Sequence, residues 1–104
     1  KIAQEEIFGP VLAVIPYGNE EEAISIANDS QYGLCGSVWT PDIERGAKVA
    51  ARVRTGWVAV NSGMIVDLKS PIGGFKKSGL GRELGPEGLA AYTEYQSIIL
   101  PAGA

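Results

Sequence analysis

The apolar positions of this chain alternate between strand-like and helix-like spacing. Val11-Leu12-Ala13-Val14-Ile15 is a continuous apolar run, the pattern of a strand buried on both faces. Asn19 follows as a helix cap, with Glu20, Glu21 and Glu22 in the first turn, where the helix dipole favours anions. Ala23, Ile24, Ile26 and Ala27 supply a core-facing stripe, and Asn28-Asp29-Ser30 ends the helix. Leu34 to Trp39 reads as the next strand. Thr40 is placed to cap a second helix, with Pro41 at its first position and Asp42 in its first turn. Its apolar face is Ile43, Ala47, Ala50 and Ala51, its end carries Arg52 and Arg54, and Gly56 stops it. Trp57-Val58-Ala59-Val60 is a third apolar strand. A glycine-rich stretch comes next, then a short helix over 86–92 and a last strand from Tyr95 to Leu100.

Strand, helix, strand, helix, strand with short connections is the pattern of βαβ crossovers, so the fold class is α/β with a partial parallel sheet. Three parallel strands are an incomplete layer, because such sheets are covered on both faces. The core is therefore expected to finish against other polypeptide. No internal repeat interrupts this order.

Composition narrows the function. In 104 residues, 45% are hydrophobic and 20% charged, a globular balance. The net charge of -3 argues against a nucleic-acid partner. No apolar run reaches the roughly 18 residues of a membrane span. One cysteine and no histidine exclude an internal disulfide, a His/Cys zinc site and a histidine base supplied by this chain. No metal is expected. The chain opens at Lys1 without a signal-peptide pattern, which points to a segment of something longer or a processed product.

The stretch "PIGGFKKSGLGREL", residues 71–84, sets backbone freedom beside positive charge. It is not a Walker A loop: Gly74 and Gly79 have the first spacing, but Leu80-Gly81 follows where Lys and Ser or Thr are required. It is not a dinucleotide fingerprint either, because Gly79 and Gly81 are followed by Leu84 at the third position. Ile72, Phe75 and Leu80 are interleaved apolar anchors, so a flexible linker is excluded as well. What remains is a folded loop in which glycines take positive φ or permit close backbone approach.

These residues resemble the C-terminal signature of the NAD(P)-dependent aldehyde dehydrogenase superfamily. Its pattern P-x-G-G-x-K-x-S-G-x-G-R-E-x-G is met by Pro71, Gly73, Gly74, Lys76, Ser78, Gly79, Gly81, Arg82, Glu83 and Gly85. "EEIFGPV" at 5–11, "YGLCGSVWT" at 32–40 and "TGWVAVN" at 55–61 match three further family motifs in the same order. The resemblance covers essentially the whole chain. It implies the C-terminal part of a catalytic domain over residues 1–93, and a terminal oligomerisation strand and tail over 94–104.

In this family a cysteine thiolate attacks an aldehyde, the thiohemiacetal gives up hydride, and a glutamate-activated water hydrolyses the thioester. The resemblance places both of those residues outside this segment, so the chain alone should be inactive. Cys35 reads as a small buried hydrophobe in a strand, since a thiolate needs a basic neighbour and none is adjacent. Glu6, otherwise half of a solvated Glu5-Glu6 pair, is implied to accept from the nicotinamide-side ribose hydroxyls of NAD or NADP. Phe8 is implied to line the nicotinamide region; it also reads as a core aromatic, and the two roles are compatible. Glu83 is either a proton relay or a structural carboxylate. Val66 and Ile72 fall on the aldehyde tunnel, where aliphatic residues replace the family's frequent aromatics.

Arg82 and Glu94 are expected to make ionic contact within a subunit or across a dimer. The implied partners are the rest of the polypeptide, a second copy in a dimer or tetramer, and a small aldehyde, in a cytoplasmic setting. The other reading is a stand-alone, non-catalytic domain that assembles through its terminal strand.

Overall fold

The computed structural model describes residues 1–63 and 66–103. The first regular element is helix α1, Glu20–Asn28. Asn19 caps it from an extended conformation, its side chain accepting from Glu22 N at 2.9 Å. Glu22 returns a carboxylate to Gly18 N at 2.7 Å, a close relative of the capping box. The expected start and the three first-turn glutamates are therefore as read from the sequence.

Strand β1, Tyr32–Gly33, is followed by β2, Cys35–Val38, helix α2, Ile43–Ala50, and β3, Trp57–Val60. β2 and β3 pair in parallel, with Cys35 opposite Trp57 and Val38 opposite Val60. A helix joining two parallel neighbours is the crossover that the pattern predicts. Asn61 closes the unit. At φ 53 it leaves the strand, its N–H donates to Val38 O at 2.8 Å, and its amide both accepts from Thr40 N (2.8 Å) and donates to Thr40 O (2.7 Å). The cap of α2 is Asp42, not Thr40: Asp42 Oδ1 accepts from Arg45 N at 3.0 Å, while the Thr40 hydroxyl accepts from Asp42 N at 3.2 Å. The helix thus begins two residues later than expected, because the Thr40 backbone is held by Asn61.

Strand β4, Phe75–Lys76, pairs antiparallel with β1, and helix α3 spans Gly85–Ala90. The β1–β4 ladder went unread in the sequence because both strands are only two residues long and sit in glycine-rich surroundings.

Two expected strands form no ladder among the described residues: 11–15 and 95–100. Their apolar side chains face solvent, with Leu12 84% and Ile99 91% exposed. A run that is apolar on both faces needs neighbours on both sides, and the described residues offer neither. The α2 face also differs from expectation. Ile43 is exposed, and the position buried against the sheet is Gly46, near Thr40 and Val60. Among the described residues Ile24 is the one buried hydrophobic side chain. The radius of gyration is 19.0 Å, against roughly 13 Å for a compact chain of this length.

A β-carbon at Gly46 would stand 2.8 Å from both Thr40 Cγ2 and Val60 Cγ1. Gly46→Ala should therefore push α2 off the parallel pair and destabilise by about 1–3 kcal/mol, despite the better helix propensity of alanine. The shift in the chemical-denaturation midpoint measures it, and a stabilised variant would show that α2 is free to move outward.

Candidate functional site

Three structural pieces meet around the glycine-rich loop. The first is the loop itself. Its close backbone packing demands glycine at Gly73, where a side chain would collide with the Gly81 carbonyl and the Arg82 side chain, and Gly81 takes φ 86. Arg82 Nη1 donates to the carbonyls of Gly74 (3.1 Å) and Gly81 (2.6 Å), pinning both ends of the turn. Its guanidinium also lies 5.5 Å from the Phe75 ring centroid, and that of Arg54 lies 5.0 Å away. Lys76 Nζ donates to Asn28 O and Ser30 O, both at 2.9 Å, and Lys77 Nζ to Gln31 Oε1 at 2.7 Å. The loop's cations are spent on carbonyl and amide oxygens of this chain, which fits a folded loop and not a phosphate cradle.

The second piece is the N-terminal segment. Glu6 lines a cavity of about 630 Å³ whose far wall carries Cys35, Thr55, Lys77 and Ser78. Ser78 Oγ accepts from Gly33 N at 2.9 Å, which fixes that wall. Glu6 also shares a second cavity, of about 280 Å³, with Phe8. Among the described residues the Glu6 carboxylate has no hydrogen-bond partner, so its acceptor oxygens are unspent. Phe8 is 92% exposed at φ 50, a left-handed backbone that a non-glycine residue rarely adopts.

The third piece joins Ile72 to Glu83. Their backbones exchange both hydrogen bonds, each 2.8 Å, in an isolated antiparallel bridge. Directly opposed residues present their side chains to the same face. Ile72 and Val66 line one cavity of about 270 Å³ together with Trp57 and Asp67. The Asp67 carboxyl is held below its ordinary range first by the Ser70 hydroxyl (2.6 Å) and then by Lys69 N–H. The indole N–H of Trp57, which borders that cavity, is buried without a partner among the described residues.

Cys35 differs from expectation. It opens β2, but it is exposed, because none of the described residues covers that strand face. Arg82 and Glu94 are not joined by an ion pair among the described residues. The ion pairs there are Arg45–Glu20 (2.6 Å) and Arg52–Glu21 (2.5 Å), which tie α2 and its following turn to α1 at the solvent surface. Arg52 therefore serves α1 instead of the end of its own helix, and its hydrogen bonds lower the Glu21 pKa.

Several contributors were not singled out as site-builders from the sequence. Gln4 donates to Asp29, Asn28 bonds Arg52 O and Arg54 N through its amide, and Ser78 holds Gly33. Asn28 sits at a helix end followed by Asp and Ser, and that cluster of side-chain acceptors was the available signal.

The aldehyde dehydrogenase family model matches residues 1–98. Geranial dehydrogenase of Castellaniella defragrans is 54% identical over 96% of this chain and 21% of its own length. Betaine aldehyde dehydrogenase of Bacillus subtilis is 51% identical over 94% of this chain and 20% of its own length. A crystal structure of a Mycobacterium tuberculosis aldehyde dehydrogenase complexed with NAD+ superposes with a TM-score of 0.93 at 57% identity, covering 99% of this chain and 21% of that one. The chain thus spans about a fifth of the length of these relatives.

Arg82→Lys keeps the charge but loses the planar fork that lies against Phe75 while one of its nitrogens, Nη1, bridges two carbonyls. It should cost about 1–3 kcal/mol and speed limited proteolysis within 73–82. An unchanged cleavage rate would show that the loop is ordered without the fork.

Proposed function

Because the chain belongs to the aldehyde dehydrogenase family, we propose that it is the C-terminal part of the catalytic domain and the terminal oligomerisation strand of an NAD-dependent enzyme that oxidises an aldehyde to a carboxylic acid. The observation that supports this best is the shared cavity. It sets Glu6 of the N-terminal motif across one cavity from Lys77 and Ser78 of the glycine-rich loop.

NAD+ is bound in the Mycobacterium tuberculosis relative and in a Staphylococcus aureus betaine aldehyde dehydrogenase structure (TM-score 0.85, 48% identity, 88% of this chain and 18% of that one). NAD, when bound, accepts the hydride. This chain's part is to hold and orient it. The unspent Glu6 carboxylate suits two ribose hydroxyl donors, and the exposed Phe8 ring offers an apolar face beside it. Ile72 and Glu83, locked together by their backbone bridge, place a substrate-wall side chain and a candidate proton relay on one face. The aliphatic pair Val66 and Ile72 suits an uncharged hydrocarbon chain better than a quaternary ammonium, which aromatic faces hold.

Residues 1–93 would belong to the catalytic domain. Residues 94–104, with exposed Tyr95, Ile98, Ile99 and Leu100, would add as a strand to a second copy. Ala104 lies outside the described residues. Arg82 and Glu94 would flank that interface. The nucleophilic cysteine and the water-activating glutamate would come from other parts of the polypeptide, and the exposed apolar runs would be covered there. No described helix is long and apolar enough to cross a membrane.

Two measurements test this. The 104-residue chain alone should show no aldehyde-dependent NAD reduction. Turnover abolished by Cys35→Ser would overturn that assignment and make Cys35 the nucleophile. In the complete polypeptide, Glu6→Gln should slow hydride transfer or weaken cofactor binding by an amount equivalent to about 1.5–3 kcal/mol, with folding little changed. Unaltered kinetics at every step would return Glu6 to the solvent.

A further inference from the structure

We propose that Gln4 is a positioning residue for the cofactor, acting through Glu6 by clamping the N-terminal segment to Asp29, the residue that caps the end of α1. The inference rests on Glu6 being the ribose contact.

An α-helix ends with carbonyls that lack intrahelical partners and with a dipole that favours positive charge. α1 has no basic residue in its last turn. Asp29 N–H meets Ser25 O and Ile26 O within the cap, and the carbonyls at and just past the helix end are met from two distant parts of the chain. Lys76 reaches in from the glycine-rich loop and takes Asn28 O and Ser30 O, each at 2.9 Å. Gln4 reaches in from the N-terminal segment and takes the carbonyl between them, Asp29 O, at 2.7 Å, and Asp29 Oδ2 at 3.0 Å. Three consecutive carbonyls are thus held from two sides.

The consequence for Glu6 comes from what else holds its segment. Among the described residues, the two bonds from the Gln4 amide are the only hydrogen bonds joining 1–17 to the rest of the chain. Gln4 N and Glu5 N both donate to Lys1 O at 3.0 Å, so Gln4 belongs to a turn that moves as one piece. Glu6 follows two residues later and faces the cavity whose other wall carries Lys77 and Ser78. Lys76 meanwhile sits at φ 54, a strained setting for a lysine that its two ammonium bonds help to hold. One helix end therefore fixes the cofactor-side segment and the substrate-side loop in a single register.

The test uses the complete polypeptide, with NAD affinity read by tryptophan-fluorescence titration alongside steady-state kinetics. Gln4→Ala should raise the Kd and KM for NAD about three- to tenfold, the loss of one to two hydrogen bonds, while the aldehyde KM stays within about twofold. The thermal midpoint should hold. Gln4→Arg, whose longer side chain still carries donors to Asp29, should restore affinity. On a Glu6→Gln background, Gln4→Ala should add nothing further, because it acts through that carboxylate. If Glu6→Gln weakens cofactor binding and Gln4→Ala does not, the positioning role falls while the ribose contact stands. Fully additive losses overturn the proposal too, since they would make Gln4 an independent structural residue. If neither variant changes affinity, the assignment of Glu6 falls with it.

Discussion

The carbonyls of Asn28, Asp29 and Ser30, at and just past the end of α1, organise this chain. Residues 28–30 accept side-chain donors from Gln4 and Lys76, and the Asn28 amide bridges Arg52 O and Arg54 N at the turn into β3. The Ser30 hydroxyl accepts from Tyr32 N at 3.1 Å, starting β1. Removing any one of these partners leaves a polar backbone group to find water or remain unpaired, and the second outcome is costly wherever the site becomes enclosed. A helix terminus that needs four separate segments to complete it also fixes where those segments lie.

The same economy explains why the glycine-rich loop is positively charged. Lysine and arginine carry donors and no acceptors, and the carbonyls of a tight turn present acceptors with no neighbouring N–H to meet them. Arg82 bridges Gly74 O and Gly81 O, while Lys76 and Lys77 reach across to 28–31. Glycine at 73 lets the strands of the loop come close enough for those bonds to form. Charge and backbone freedom are two halves of one packing solution, and the loop's inner face is left to Ile72 and the bridge to Glu83.

Hydrophobic burial plays a smaller part within the chain than its composition suggests. Ile24 is buried, yet Val14, Ile98 and Ile99 are more than four-fifths exposed. Polar cross-links set the geometry, and the uncovered apolar faces await neighbours, in keeping with a segment that spans about a fifth of its relatives. In the proposed enzyme those faces join the rest of the catalytic domain and a second copy, so the site walls become rigid only in that setting.

What local physics decides is legible in the residues alone. Asn19 with three glutamates could only start a helix. The strands read at 34–39 and 57–60, with a helix between, meant parallel neighbours, and four ordered motifs pointed to the family. Tertiary structure alone decided the rest. The cap of α2 moved to Asp42 because Asn61, 21 residues from Thr40, holds that residue's backbone. The short β1–β4 pair exists because Lys76 and Lys77 pull two glycine-flanked stretches together, something no periodicity of two residues can announce. The run at 11–15 has the apolar pattern of a strand and remains unpaired, because a strand's identity lies in its own residues but its ladder lies in its neighbours.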